Sequence, residues 1–241
     1  MAISGLNKVS IPAQRAIVTG SSSGIGLAIT ESLLAQGWAV SGFDIAPARV
    51  SHAAFDAVQV DMCDEAALTK AAKSLKAPTH ALVHAAGILR VGKLGQLQAS
   101  DAQRMWQLHV SALSTLANII VPHMTTAGFG RVVIIGSRVA QGMAGRSHYA
   151  ATKAALITLA RSWAAEVVAS GVTVNVVSPA ATQTAMLNDP ARQTTSPRTP
   201  PMGRMIDPLE IAALVAYLLS PVAAAITGQN IHICGGASLQ Y

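Results

Sequence analysis

The chain has 241 residues, 51% hydrophobic and 12% charged, with a formal net charge of +6. That balance excludes a disordered or fibrous chain, and the length suits a single domain over residues 1–241. Mean hydropathy is +0.42, yet the longest strictly apolar runs, such as Ile211 to Leu219, reach about half the length needed to span a membrane, so no transmembrane segment is expected.

Strand-like and helix-like segments alternate along the chain. Arg15 to Thr19 reads as a buried strand, and Gly24 to Gln36 as a helix closed by Gly37. Ala39 to Asp44 is a second strand. Ala57 to Val60 and Ala81 to His84 follow as strands, with a helix from Asp64 to Leu75 between them that carries acids in its first turn. Ser100 to Met124 reads as one long helix, Arg131 to Ile135 as a strand, Ser147 to Ser170 as a helix and Thr173 to Val177 as another strand. From Ser178 to Asp207 the prolines at 179, 190, 197, 200 and 201 oppose regular helix, and residues 185–205 read as a substrate loop. Asp207-Pro208-Leu209-Glu210 then starts a helix running to Leu219, with a capping acid, proline in the first turn and glutamate three residues on. Asn230 to Ile233 closes the sheet. This order predicts an α/β fold: one doubly wound parallel sheet of Rossmann type, with helices on both faces.

Composition also limits partners. Met1 to Pro12 has no apolar signal core, which points to the cytoplasm. Cys63 and Cys234 lie far apart without a CxxC, so neither a disulfide nor a metal site is expected. The 17 basic residues are scattered singly and there are only three each of Trp, Tyr and Phe, which argues against nucleic acid as a partner and leaves a small molecule.

Two constellations carry chemistry. Thr19-Gly20-Ser21-Ser22-Ser23-Gly24-Ile25-Gly26 links a strand to a helix, where glycines admit a pyrophosphate and free N–H groups meet its charge. An ordinary tight turn is the plain alternative. Asp44, at the end of the second strand, is placed to accept hydrogen bonds from adenosine ribose hydroxyls and would repel a 2′-phosphate, so NAD is expected rather than NADP. Asp61 either reaches the adenine amino group or caps its strand end. The second constellation is Tyr149 and Lys153, with Ser137 twelve residues upstream of Tyr149. Residues four apart share a helix face, and an ammonium beside a phenol favours the phenolate that acid/base chemistry uses.

These segments resemble the short-chain dehydrogenase/reductase family from about Pro12 to Leu239. Thr19 to Gly26 is similar to its TGxxxGIG, Ala85-Ala86-Gly87 to the end of its NNAG, and Tyr149 with Lys153 to its YxxxK. The resemblance implies that Tyr149 moves the proton, Ser137 holds the substrate oxygen and Lys153 holds the nicotinamide ribose while tuning Tyr149. It also assigns Pro179, Thr182 and Thr184 to the carboxamide, and it suggests a homotetramer packed through the two long helices. The implied activity is hydride transfer between NAD and a secondary alcohol or ketone, such as a cyclic diol or hydroxy acid. Several short segments resemble the 2,3-dihydro-2,3-dihydroxybenzoate dehydrogenases. Alternatives are a 3-oxoacyl-thioester reductase of the same family and a catalytically idle NAD-binding regulator; a methyltransferase has no use for the Tyr and Lys pair.

The chain departs from the family pattern at four places: His84 for the first Asn of NNAG, Ala180 for Gly, His109 for an Asn that seats a relay water, and Cys234 for an acid. For His109 three readings stand: a substituted relay, a packing residue, or an impaired enzyme. Arg90, Arg138 and Arg146 are either contacts for a substrate carboxylate or solvated surface cations.

Overall fold

The computed structural model describes residues 14–75, 78–188 and 198–239. The N-terminal stretch to Pro12 and residues 189–197 of the expected substrate loop lie outside them. Seven parallel strands form one sheet in the order β3-β2-β1-β4-β5-β6-β7. They are β1 (Arg15–Thr19), β2 (Ala39–Asp44), β3 (Phe55–Gln59), β4 (Ala81–His84), β5 (Gly130–Ile135), β6 (Val172–Pro179) and β7 (Asn230–Ile233). The helices are α1 (Gly24–Ala35), α2 (Glu65–Lys73), α3 (Ala99–Trp106), α4 (Ala112–Ala127), α5 (Ser147–Val167) and α6 (Pro208–Leu219).

Period-two alternation along the strands divides the apolar side chains between two layers. Ala16 and Val18 of β1 pack with α1 and α6 on one face. Ile17, between them, packs with α2, α4 and α5 on the other. Central strands are buried on both faces, which is why β4, β5 and β6 are buried along their whole length. Edge strand β3 has only half-buried and exposed residues. Pairing with β2, Val40 opposite Phe55 through Asp44 opposite Gln59, starts it two residues before the expected Ala57.

Helix ends follow their local chemistry. Asp64 caps α2 by accepting from the Ala67 N–H, so it lies just outside the helix. At α6 the Asp207 carboxylate accepts from the Leu209 N–H, and Glu210 accepts from the Asp207 N–H. Gly37 follows α1 with φ of +83°, a conformation that favours glycine. The expected single helix from Ser100 to Met124 is instead two helices joined by a π-turn, Gln107–Ser111. Apolar periodicity runs through that break, so it hid the extra residue in the turn. Proline excludes regular α-helix after β6, but a short 3-10 turn forms at Ala185–Asn188. Among the described residues no helix is long and apolar enough to cross a membrane. Both cysteines are free thiols.

Candidate active site

Strand order reverses between β1 and β4, so the chain leaving these two strands diverges to opposite sides and opens a crevice at their C-terminal ends. The glycine turn after β1 and the Ala85–Gly87 segment after β4 lie at these ends. On the β1 side, Gly20 and Gly24 have φ of +69° and +53°. A Cβ on Gly20 would stand 2.9 Å from the Ala86 Cα, and one on Gly26 would stand 2.1 Å from the Gly20 carbonyl oxygen. The turn can close on itself and on the loop after β4 only without side chains at these points. Ser23 occupies the N-cap of α1 without making a side-chain cap, and Ile25 is half-buried in the first turn. The helix therefore presents main-chain N–H groups and its positive dipole end to a phosphate, and the turn fits a dinucleotide.

Asp44 stands beside this turn. One of its oxygens accepts from the Ser22 N–H and the other from the Ala46 N–H, both at 2.9 Å. Two ionised oxygens offer about four acceptor positions, so the carboxylate is fixed in place and keeps capacity for two hydroxyls. Asp61 accepts from the Cys63 N–H at 2.9 Å in its own turn. Burial, and then the Asp61 charge, hold the Cys63 thiol above its usual pKa.

Opposite lie the ends of β5 and β6 and the start of α5. Ser137 is buried just beyond β5, its hydroxyl accepting from the Val139 N–H at 3.2 Å. Tyr149 and Lys153 share a face of α5, with the Lys153 Nζ 5.7 Å from the centre of the Tyr149 ring. Lys153 is 4% exposed and donates to the Ile135 carbonyl at 2.8 Å. Burial pushes its ammonium down to about 8. Pro179 ends β6. Thr182 donates to the Ala180 carbonyl, whereas the Thr184 methyl is the group a Cβ on Gly24 would meet, at 3.2 Å. Of the two threonines, Thr184 is thus the one brought to the glycine turn.

Between these halves sits a polar seam that the sequence reading left mostly unassigned. The Thr19 hydroxyl accepts from the Ala85 and Ala86 N–H groups at 3.1 and 3.0 Å and lies 3.0 Å from the His84 Nδ1. His109 accepts at Nε2 from the Ile88 N–H at 3.0 Å, and its Nδ1 lies 2.8 Å from the Thr152 hydroxyl. Its ring meets that of Tyr149 edge-on, centroids 5.7 Å apart. Both ring nitrogens of His109 therefore have protein partners. Burial and the Lys153 charge hold His109 well below 6.5 and His84 at about 3, so both rings are neutral in the working range. The one signal in the sequence was that two histidines stand where the resemblance expects asparagines.

The three arginines separate. Arg146 is 8% exposed and forms a β-bridge with Gly92, so it is no solvated surface cation. Arg90 is half-buried, 3.9 Å from the Asp101 carboxylate. Arg138 is half-buried in the turn after Ser137.

Fold and site together define a nucleotide-binding oxidoreductase. The chain belongs to the short-chain dehydrogenase/reductase family: a family model described as enoyl-(acyl carrier protein) reductase matches residues 20–238. It is 35% identical over 236 residues to a 3-oxoacyl-[acyl-carrier-protein] reductase of Vibrio cholerae, covering 92% of this chain and 96% of that one. A 2,3-dihydro-2,3-dihydroxybenzoate dehydrogenase of Escherichia coli is 34% identical over 238 residues, with the same coverage. Among solved structures, a Thermoplasma acidophilum aldohexose dehydrogenase superposes with a TM-score of 0.87 at 25% identity, over 95% of both chains. A 3-ketoacyl-(acyl-carrier-protein) reductase from Brucella melitensis, complexed with NADH, superposes with a TM-score of 0.86 at 25% identity, over 94% of this chain and 98% of that one.

Proposed function

We propose that the protein is an NAD-dependent dehydrogenase/reductase that interconverts a secondary alcohol and a ketone. The observation that carries the reading is the pairing of Tyr149 with a buried Lys153 across the crevice from an α1 N-terminus flanked by Asp44. When bound, the nicotinamide supplies the hydride acceptor or donor. In the oxidation direction Tyr149, as phenolate, takes the hydroxyl proton, and Ser137 holds the alcohol oxygen in line. Lys153 stabilises the phenolate and reaches the ribose hydroxyls. Ala85, Ala86 and Gly87 would line the bound cofactor, and Pro179, Thr182 and Thr184 would hold its carboxamide.

Asp44 supports NAD over NADP, because its braced carboxylate cannot swing away from a 2′-phosphate and neither neighbour, Ser23 or Ile45, is a cation. The NADH complex of the Brucella reductase is compatible with that choice in a related chain. The substrate is read as a cyclic diol, hydroxy acid or other small secondary alcohol. A second reading, a 3-oxoacyl-thioester reductase, is favoured by the names of the Vibrio and Brucella relatives. Assembly is read as a homotetramer packed through α4 and α5, and the setting as the cytoplasm; light scattering of the purified protein tests the first.

Titration with both dinucleotides, followed by NADH formation over a panel of cyclic diols, hydroxy acids and 3-hydroxyacyl thioesters, tests the whole. Tighter binding of NADP than of NAD refutes the cofactor assignment. Asp44→Ala is expected to narrow the preference at least tenfold, because it removes the ribose acceptor and the repulsive charge together.

A further inference from the structure

The polar seam between the two halves contains more information than its distances. The Thr19 hydroxyl accepts two main-chain N–H groups, from Ala85 and Ala86, so both its lone pairs are taken. Its own proton must then go to the His84 Nδ1, 3.0 Å away. That fixes the tautomer: the neutral His84 ring carries its proton on Nε2. This Nε2 is fully buried without a hydrogen-bond partner, and the carbonyls that act on its proton are those of Leu108 and His109 in the π-turn. A π-turn loosens the regular i to i−4 ladder, which makes such carbonyls available.

His109 resolves the opposite way. Its Nε2 accepts from the Ile88 N–H, so the ring proton is on Nδ1 and is donated to the Thr152 hydroxyl. Thr152 passes its own proton to the Tyr149 carbonyl at 2.9 Å. Two directed runs result: from the N–H groups of residues 85 and 86 through Thr19 to His84, and from Ile88 through His109 and Thr152 to the Tyr149 carbonyl. Gly87 lies against the second run, since a Cβ there would stand 3.1 Å from the His109 Nε2 and 3.7 Å from the Lys153 Nζ.

We infer that His84 and His109 are paired positioning residues, two neutral imidazoles of opposite tautomer: His84 fixes the Thr19 hydroxyl that holds residues 85–86, and His109 ties Ile88 of the same loop to the catalytic helix through Thr152. They touch no reacting atom. Their role is to set where Tyr149 and Lys153 stand relative to residues 85–88. Neutrality is part of the device: Lys153 is the cation facing both rings, His84 faces His109, and Tyr149 meets the His109 edge. A second buried positive charge beside Lys153 would be costly, so the rings hold their protons as dipoles and leave Lys153 the charge.

The positioning role rests on the proposed reaction, but the link itself does not, and the two are tested separately. In cofactor-free protein labelled with ¹⁵N-histidine, two of the seven rings are expected to show opposite neutral tautomers, Nε2–H and Nδ1–H, unchanged from pH 5 to 9. His84→Asn and His109→Asn assign the signals. Identical tautomers, or either ring titrating above pH 5, overturn the link. For the role, Thr152→Val removes one hydroxyl at nearly constant volume. Turnover is expected to fall at least tenfold with KM and dinucleotide affinity within threefold of the parent, and Thr152→Ser is expected to recover most of the loss. Wild-type turnover in the valine variant, or no recovery in the serine variant, overturns it. Should the wild type oxidise no alcohol, the proposed reaction fails while the tautomer result still decides the link.

Discussion

The glycine turn ahead of α1 and the cluster around Lys153 face each other across the same crevice, yet one is made by omitting side chains and the other by burying them. In the turn, Gly20 and Gly26 leave room for backbone to approach backbone, and the groups offered to a ligand are main-chain N–H groups. In the cluster, Lys153, His84 and His109 are withdrawn from water, and each is held away from its ordinary protonation by that burial. The first half depends on space and is insensitive to pH. The second depends on charge, and its properties change with the dielectric of the surrounding core.

Variants of each half should therefore fail in different ways. Tyr149→Phe keeps the ring and deletes the proton-carrying oxygen, so turnover is expected to fall about 1000-fold, the range of general acid/base catalysis, with dinucleotide affinity nearly unchanged. Single-turnover kinetics reads this, and retention of a tenth of the rate contradicts the assignment. Lys153→Met probes the burial of charge. The folded ammonium titrates near 8 against 10.5 for the free side chain, so between those values the unfolded chain binds more protons and stability rises with pH. At pH 7 the burial costs about 3 kcal/mol, at roughly 1.4 kcal/mol per pH unit. The methionine variant is thus expected to be inactive but more stable near pH 7, with its advantage fading toward pH 10.5 in denaturant titrations.

Gly26→Ala attacks the other half. The new methyl would overlap the Gly20 carbonyl, so a loss of about 2 kcal/mol is expected, the usual scale of overpacking, together with at least tenfold weaker dinucleotide binding. The stability change should be the same at pH 6 and pH 9, and a strong pH dependence would erase the contrast between the two regions. The gentlest test is acid. Because His84 titrates near 3 when folded and near 6.5 when unfolded, its contribution is complete above pH 6.5 and is withdrawn as pH falls toward 3. About 2 kcal/mol is expected to go between pH 6.5 and 5. His84→Asn should flatten that part of the acid limb in urea titrations, leaving the share of His109.

Much of the architecture was legible because it depends on local periodicity. Continuous apolar runs located the central strands, and the acid-proline-glutamate start of α6 located its first turn to the residue. Where partner strands or packing set a boundary, local pattern fell short: β3 was displaced by its register with β2, and the π-turn was invisible because its extra residue leaves the apolar stripe intact.

The same division runs through the site. Sequence alone determined the glycine turn, the four-residue spacing of Tyr149 and Lys153 and the acid at the end of β2, since each lies within one strand-turn-helix unit or one helix turn. Only the tertiary structure decided that Thr184 rather than Thr182 approaches the glycine turn, that Arg146 is buried, and that His84 turns Nδ1 to Thr19 while His109 turns Nε2 to Ile88. Those outcomes depend on which main-chain groups stand across from a side chain and how far water is excluded. Residues 19, 84, 109 and 152 meet only when the sheet and α5 are assembled, so no local pattern contains them.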